Sequence, residues 1–141
     1  MARGRDGTGL LASVPLFADF SRRELKALEA YLKKAHFNAG EDIVIAGDAG
    51  NRFFVIAEGR AKVIVNGRAR RTIGPGGFFG EMSLLDGSPR NATVRAETDV
   101  HTYWVGTVAF KSLLRENFSI TQKILAELCA RIRSYDDAHT H

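Results

Sequence analysis

Between Phe37 and Val105 the chain breaks into short β-rich runs, punctuated by Gly40, Gly47, Gly50, Gly59, Gly67, Gly74, Gly76 and Gly77. The runs Asp42 to Ala46, Arg52 to Ala57, Arg60 to Asn66 and Asp99 to Val105 have no helical pattern between them. A parallel sheet needs long crossover connections, so closely spaced strands with glycine turns indicate an antiparallel sandwich or jelly roll.

Helical spacing brackets this β region. Leu25, Leu28 and Leu32 share one face and predict a helix from about Ser21 to Ala35. Ser21 and Glu24 have the spacing of a capping box, and Phe20 can pack on Leu25 as a hydrophobic staple. After Thr107, Phe110, Leu113 and Leu114 mark a short helix, and Ile124, Leu125, Leu128 and Ile132 mark a longer one from Phe118 to Tyr135. The expected fold is mainly β with flanking helices: an antiparallel β jelly-roll barrel with an N-terminal helix and two C-terminal helices. With 141 residues, 45% of them hydrophobic, one filled core is the expectation. We therefore expect residues 1–141 to form a single domain, with an ordered core over about 14–135.

Other features narrow the chemistry. The longest apolar stretches, such as Phe53 to Ala57, are far short of the roughly 20 residues a transmembrane helix needs. Leu10 to Phe17 is interrupted by Ser13 and Pro15, which makes a poor signal peptide, so the expected location is cytoplasmic. Cys129 stands alone, which excludes an intramolecular disulfide and a cysteine-ligated cluster; it reads as a buried small hydrophobe. His36 and His101 are isolated, so no strand offers the paired histidines of a jelly-roll metalloenzyme. We expect no metal, no cofactor and no catalysis. Arg68, Arg70 and Arg71 follow the turn expected at Asn66-Gly67 and read as a solvated hairpin edge rather than a nucleic-acid footprint.

The segment Phe78-Phe79-Gly80-Glu81-Met82-Ser83-Leu84-Leu85-Asp86-Gly87-Ser88-Pro89-Arg90-Asn91-Ala92-Thr93-Val94 departs from the β rhythm. It reads as a glycine turn, one helical turn, a second turn and then a strand. Glycines at 76, 77 and 80 let the backbone come close to a ligand, the helical turn offers N–H groups to an anion, and Arg90 supplies positive charge. Glu81 would repel a phosphate unless the ligand also donates a hydroxyl, and a ribose phosphate meets both demands. On spacing alone, a surface ion pair between Glu81 and Arg90 is equally open.

The block from Phe79 to Leu85 and from Arg90 to Val94 resembles the phosphate-binding cassette of the cyclic-nucleotide-binding family. Pro15-Leu16-Phe17, Gly47-Asp48, Phe53 to Ile56, Gly59 and Gly76-Gly77 extend the likeness over nearly the whole chain. The resemblance implies that Arg90 holds the cyclic phosphate with the N–H groups of Ser83 and Ala92. It implies that Glu81, with the Gly80 backbone, binds the ribose hydroxyl. Met82 belongs to the same contact segment. Val63 falls on a strand that lines the base pocket in the family, although an ordinary core valine fits it equally well. Two positions depart from the regulatory subunits of cAMP-dependent protein kinase. Asn51 stands where an aspartate orients the phosphate arginine, and Asn91 stands where cGMP-selective members carry a threonine. The implied ligand is cAMP, with cGMP as the alternative.

In such a family helices 107–135 serve as hinge and lid. The expected partners are the nucleotide and an unknown effector protein, or a second copy through the C-terminal helix, with no membrane and no nucleic acid bound by this chain. Two other readings stay open: a degenerate fold kept as an interaction module, and the sensor half of a transcription factor whose DNA-binding part lies outside these residues.

Overall fold

The computed structural model describes residues 7–80, 84 and 86–139. Helix α1 (Gly7–Ala12) and a 3-10 turn (Pro15–Phe17) precede α2 (Arg22–Glu29). The strands are β1 (Lys33–Phe37), β2 (Asp42–Val44), β3 (Arg52–Glu58), β4 (Ala61–Val65), β5 (Arg68–Ile73), β6 (Phe78–Phe79), β7 (Thr93–Ala96) and β8 (Val100–Gly106). Helices α3 (Thr107–Glu116) and α4 (Phe118–His139) follow.

The capping box forms as its spacing predicts. The Ser21 N–H donates to Glu24 Oε1 at 2.7 Å, and the Glu24 N–H donates to Ser21 Oγ at 3.1 Å. The helix is shorter than its periodicity suggests. It ends at Glu29, and Lys33–Phe37 instead pairs with β8 from Lys33 opposite Trp104 to Phe37 opposite Val100. Pairing with β8 along its whole length outweighs the small helix preference of lysine and alanine.

Two four-stranded antiparallel sheets result, in the orders β1-β8-β3-β6 and β2-β7-β4-β5. They form a sandwich and are not closed into the expected barrel. The Gly-rich stretch between β5 and β6 crosses from one sheet to the other as a turn, where Gly76 N–H donates to the Ile56 carbonyl and Ile56 N–H to the Gly77 carbonyl.

Strand β3 explains why its sequence is apolar without alternation. Phe53 and Val55 pack into one core with the helices, while Phe54 and Ile56 pack into a second core between the sheets. A strand covered on both faces has no solvent side to mark.

The stripe expected on the long helix divides. Ile120 and Ile124 are buried and Leu128 packs against the same core, whereas Phe118, Leu125 and Ile132 are exposed. Leu125 is one residue, roughly 100° of helix rotation, beyond the buried Ile124, so the set Phe118, Leu125 and Ile132 faces away from the wall that takes Ile120, Ile124 and Leu128. Cys129 is exposed as well, contrary to the expectation of a buried thiol, because it lies one residue beyond Leu128 and turns away from the core.

A polar clamp fixes α4 to α2. Glu24 Oε1 accepts from Lys123 Nζ at 2.6 Å, and Ser119 Oγ donates to Glu24 Oε2. Burial pushes the Glu24 carboxyl pKa up, but hydrogen bonds from Lys123, Ser119 and the Ser21 N–H outweigh it and hold the pKa at about 2, below the ordinary 4.5. A carboxylate with a depressed folded pKa stabilises the fold fully above its unfolded value and loses that contribution as pH falls. We therefore expect wild-type stability to drop as pH falls from about 4.5 to about 2. Glu24→Gln, already neutral, should start less stable and lose less over that interval in acid titrations followed by circular dichroism.

Candidate functional site

The site begins where β6 leaves its sheet. Phe79 pairs with Phe54 on β3, and the two rings stack with centroids 5.1 Å apart. Gly80 follows with φ of +93°, and a β-carbon there would fall 2.4 Å from Arg90 Nη1 and 2.6 Å from the Arg52 carbonyl oxygen. Glycine is therefore required twice, for its backbone conformation and for the close approach of Arg90.

Leu84 roots the next turn: its side chain is buried and its N–H donates to the Gly80 carbonyl at 3.0 Å. Glu81, Met82 and Ser83, all expected in the site, lie outside the described residues. The chain then turns back through Asp86, whose Oδ1 accepts from the Ser88 N–H at 2.9 Å; that bond holds the carboxyl below the usual range.

Arg90 is held by its backbone. Its N–H donates to the Asp48 carbonyl and its own carbonyl accepts from the Gly47 N–H, both at 2.8 Å, while Pro89 pairs with Ala49. The Gly47-Asp48 turn thus fixes where Arg90 stands.

The Arg90 side chain is only 8% exposed. Its Nη2 donates to the Arg52 carbonyl, and among the described residues no carboxylate pairs with it. Burial pushes the guanidinium pKa down, because the charged form has lost water. A desolvated cation that has, among the described residues, a single carbonyl partner keeps a strong preference for an anion.

Asn51, expected to support Arg90, is the residue before the one that contacts it. Its side chain is exposed, and the carbonyl of the next residue, Arg52, bonds to Arg90 instead. The Asn51 carbonyl accepts from the Thr107 N–H at 3.0 Å and from Thr107 Oγ1 at 3.3 Å, at the start of α3. Two consecutive carbonyls therefore face Arg90 on one side and the C-terminal helices on the other.

A cavity of about 670 Å³ opens beside Arg90, within the usual size of small-molecule sites. Gly80, Arg90, Asn91 and Ala92 line it together with Val63, so the structure brings these expected residues to one place. Val44, Ile73 and Val94 add apolar wall and Arg71 adds a charge. Val94 ends the segment singled out in the sequence, whereas Val44, Ile73 and Arg71 were not identified there. The signal available was strand alternation, which sets Arg71 on the same side as Ile73.

Among the described residues, no group of three or more potential metal ligands occurs and no helix is long and apolar enough to cross a membrane.

The family described as Cyclic nucleotide-binding domain matches residues 34–117. The N-terminal domain of a transcriptional regulator from Streptomyces coelicolor A3(2) is 28% identical with a TM-score of 0.86, over 94% of this chain and 98% of that one. The catabolite activator protein of Thermus thermophilus is 30% identical with a TM-score of 0.72, over 86% of this chain and 60% of that one. The cAMP-bound PfPKA-R structure is 29% identical with a TM-score of 0.69, over 86% of this chain and 45% of that one. The chain thus spans less than two thirds of the last two.

Proposed function

The chain belongs to the cyclic nucleotide-binding domain family, and from that premise we propose that its cavity binds a cyclic purine nucleotide, with cAMP the preferred ligand, and that it acts as a regulatory sensor rather than an enzyme. One observation carries this reading: the buried Arg90 guanidinium lines an apolar-walled cavity and, among the described residues, has no carboxylate partner. A cyclic phosphate supplies the anion, and a purine fills the apolar space between the sheets and the loop.

In this proposal Arg90 and the N–H groups of Ser83 and Ala92 hold the phosphate, and Glu81 with the Gly80 backbone binds the ribose hydroxyl. Met82 and Asn91 border the sugar and phosphate, and Val63 packs on the base. The preference for cAMP rests on resemblance, since Asn91 replaces the threonine of cGMP-selective relatives and one solved relative is described as cAMP bound. A cytoplasmic setting belongs to the same proposal.

Occupancy is read out through α3 and α4. Supporting this is the pair of carbonyls that links Arg90 to Thr107, together with the exposed stripe of Phe118, Leu125 and Ile132. Such a stripe repeats every seven residues, the period with which one helix pairs with another. A second copy or an effector protein is the proposed reader. The similarity to a regulator's N-terminal domain over 98% of its length favours a second reading beside it, the sensing half of a transcriptional regulator.

Isothermal titration with cAMP and cGMP, after extraction shows the protein free of carried nucleotide, is the test. We expect saturable binding of both, tighter for cAMP, and a change in sedimentation of the same samples if the helix stripe pairs two copies. A verified empty protein that binds neither nucleotide refutes the proposal and favours an interaction module.

A further inference from the structure

The register between β1 and β8 sets His36 directly opposite His101, residues more than sixty positions apart in the chain. Directly opposed residues of an antiparallel pair share one face, with β-carbons about 4.5–5.5 Å apart. The two imidazoles stack there, with ring centroids 4.5 Å apart and planes inclined by 24°. Both residues are exposed, and among the described residues neither ring makes a hydrogen bond. Histidines that read as isolated in the sequence are thus brought together as a surface pair by strand register.

The charges around the pair favour a cation. Asp99 Oδ2 lies 3.9 Å from His36 Nε2, too far for a hydrogen bond, while Asp99 Oδ1 accepts from the Ala39 N–H at 3.1 Å. That backbone bond holds a carboxylate beside the rings. Glu58 is the register partner of His101 on β3, next to a bulge, and places a second exposed carboxylate at this end of the sheet. Lys34, two residues before His36 and so on the same face, lies over the Tyr103 ring, 5.8 Å from its centroid.

Imidazole nitrogen suits zinc, copper and nickel, and it binds zinc at about 2.0–2.1 Å. Two nitrogens on one tetrahedral ion therefore stand about 3.3 Å apart, roughly 1 Å closer than the ring centroids stand here. Rotation about the broad terminal torsion of each histidine tips the ring edges together without moving the strands. We propose that His36 and His101 chelate a zinc ion, one ring nitrogen from each, with the Asp99 carboxylate beside them offsetting its charge, and that the ion pins the edge strand β1 to β8. Two protein ligands are fewer than a resident structural or catalytic site has, so water completes the coordination and the ion exchanges with solvent. None of these residues lines the cavity beside Arg90, so the proposal does not depend on what that cavity binds.

The test is calorimetric titration of zinc chloride into protein that carries no affinity tag. Wild type should take up one ion per chain. His36→Gln and His101→Gln should each weaken uptake about tenfold or more, because a chelate gains its affinity from the second ligand being held beside the first. The remaining histidines, His139 and His141, stand two apart near the end of the chain, so a His139→Gln/His141→Gln variant serves as the control and should bind like wild type. In thermal melts at a hundredfold excess of zinc over its dissociation constant, wild type should gain several degrees and the two single variants much less. Imidazole resonances of wild type should show His36 and His101 shifting together and reaching their end point at one equivalent.

Folded wild type that takes up no zinc overturns the proposal. Uptake that survives in either single variant, or that is lost in the His139→Gln/His141→Gln control, overturns it too and moves the ion to the end of the chain. One ion per two chains, with dimers in sedimentation, overturns the chelate within one chain in favour of a bridge between copies.

Discussion

Arg90→Ala should weaken cyclic-nucleotide binding at least a hundredfold and leave the folded structure close to wild type. A guanidinium fork gives a phosphate two charge-assisted hydrogen bonds of roughly 1.5–3 kcal/mol each, and their joint loss is about 10²- to 10⁴-fold in affinity. Little in the fold opposes the change. The backbone bonds of Arg90 to Gly47 and Asp48 do not involve its side chain, and the side chain itself donates to the Arg52 carbonyl. Removing it relieves a desolvated charge and leaves that carbonyl short of one donor, two effects that oppose each other at about 1 kcal/mol. Titration calorimetry beside a thermal melt separates the outcomes. An Arg90→Lys variant should fall between wild type and alanine, because a point charge replaces a fork. A folded Arg90→Ala protein that binds normally would remove Arg90 from the phosphate site.

How much of this was legible beforehand follows the range of the forces involved. The capping box at Ser21 and Glu24 and the strands on either side of Gly59 are set by neighbours a few residues away, and they form where the sequence places them. The segment from Lys33 to Phe37 is set by β8, more than sixty residues later, and its own residues describe a helix as well as a strand. The same holds for the helical stripe. Periodicity shows that Ile124, Leu125, Leu128 and Ile132 are apolar, but which of them meets the core depends on how α4 rolls against the 3-10 turn and α2.

The site divides in the same way. Gly80, Arg90, Asn91 and Ala92 fall on one continuous segment with Val63 opposite, so a motif could find them. Arg71 reaches the cavity only because a bulge resets the register of β5, and nothing in the string Arg68-Ala69-Arg70-Arg71 reveals where the extra residue falls. The barrel was expected from many short strands separated by glycine turns, a pattern that two packed four-stranded sheets share.

Gly80→Ala should cost both stability and binding, through a different physical route from Arg90→Ala. The backbone at residue 80 has φ of +93°, a region where a side chain costs roughly 1–3 kcal/mol. The added methyl also meets Arg90 Nη1 at 2.4 Å and the Arg52 carbonyl at 2.6 Å. The guanidinium can swing away, which takes it off the phosphate site. The carbonyl cannot, because Arg52 begins the strand that pairs with both β6 and β8. Destabilisation of about 2–4 kcal/mol follows, or roughly 5–15 °C in the melting temperature for a chain of this size. Cyclic-nucleotide affinity should fall with it by tenfold or more, since tenfold is about 1.4 kcal/mol of misplaced contact. The two causes separate in a double-mutant cycle. In the Arg90→Ala background the contact with Nη1 is gone, while the φ penalty and the Arg52 contact remain, so Gly80→Ala should still destabilise but by measurably less. Equal costs in the two backgrounds would mean that Arg90 yields freely and that glycine is needed at this position for its backbone alone.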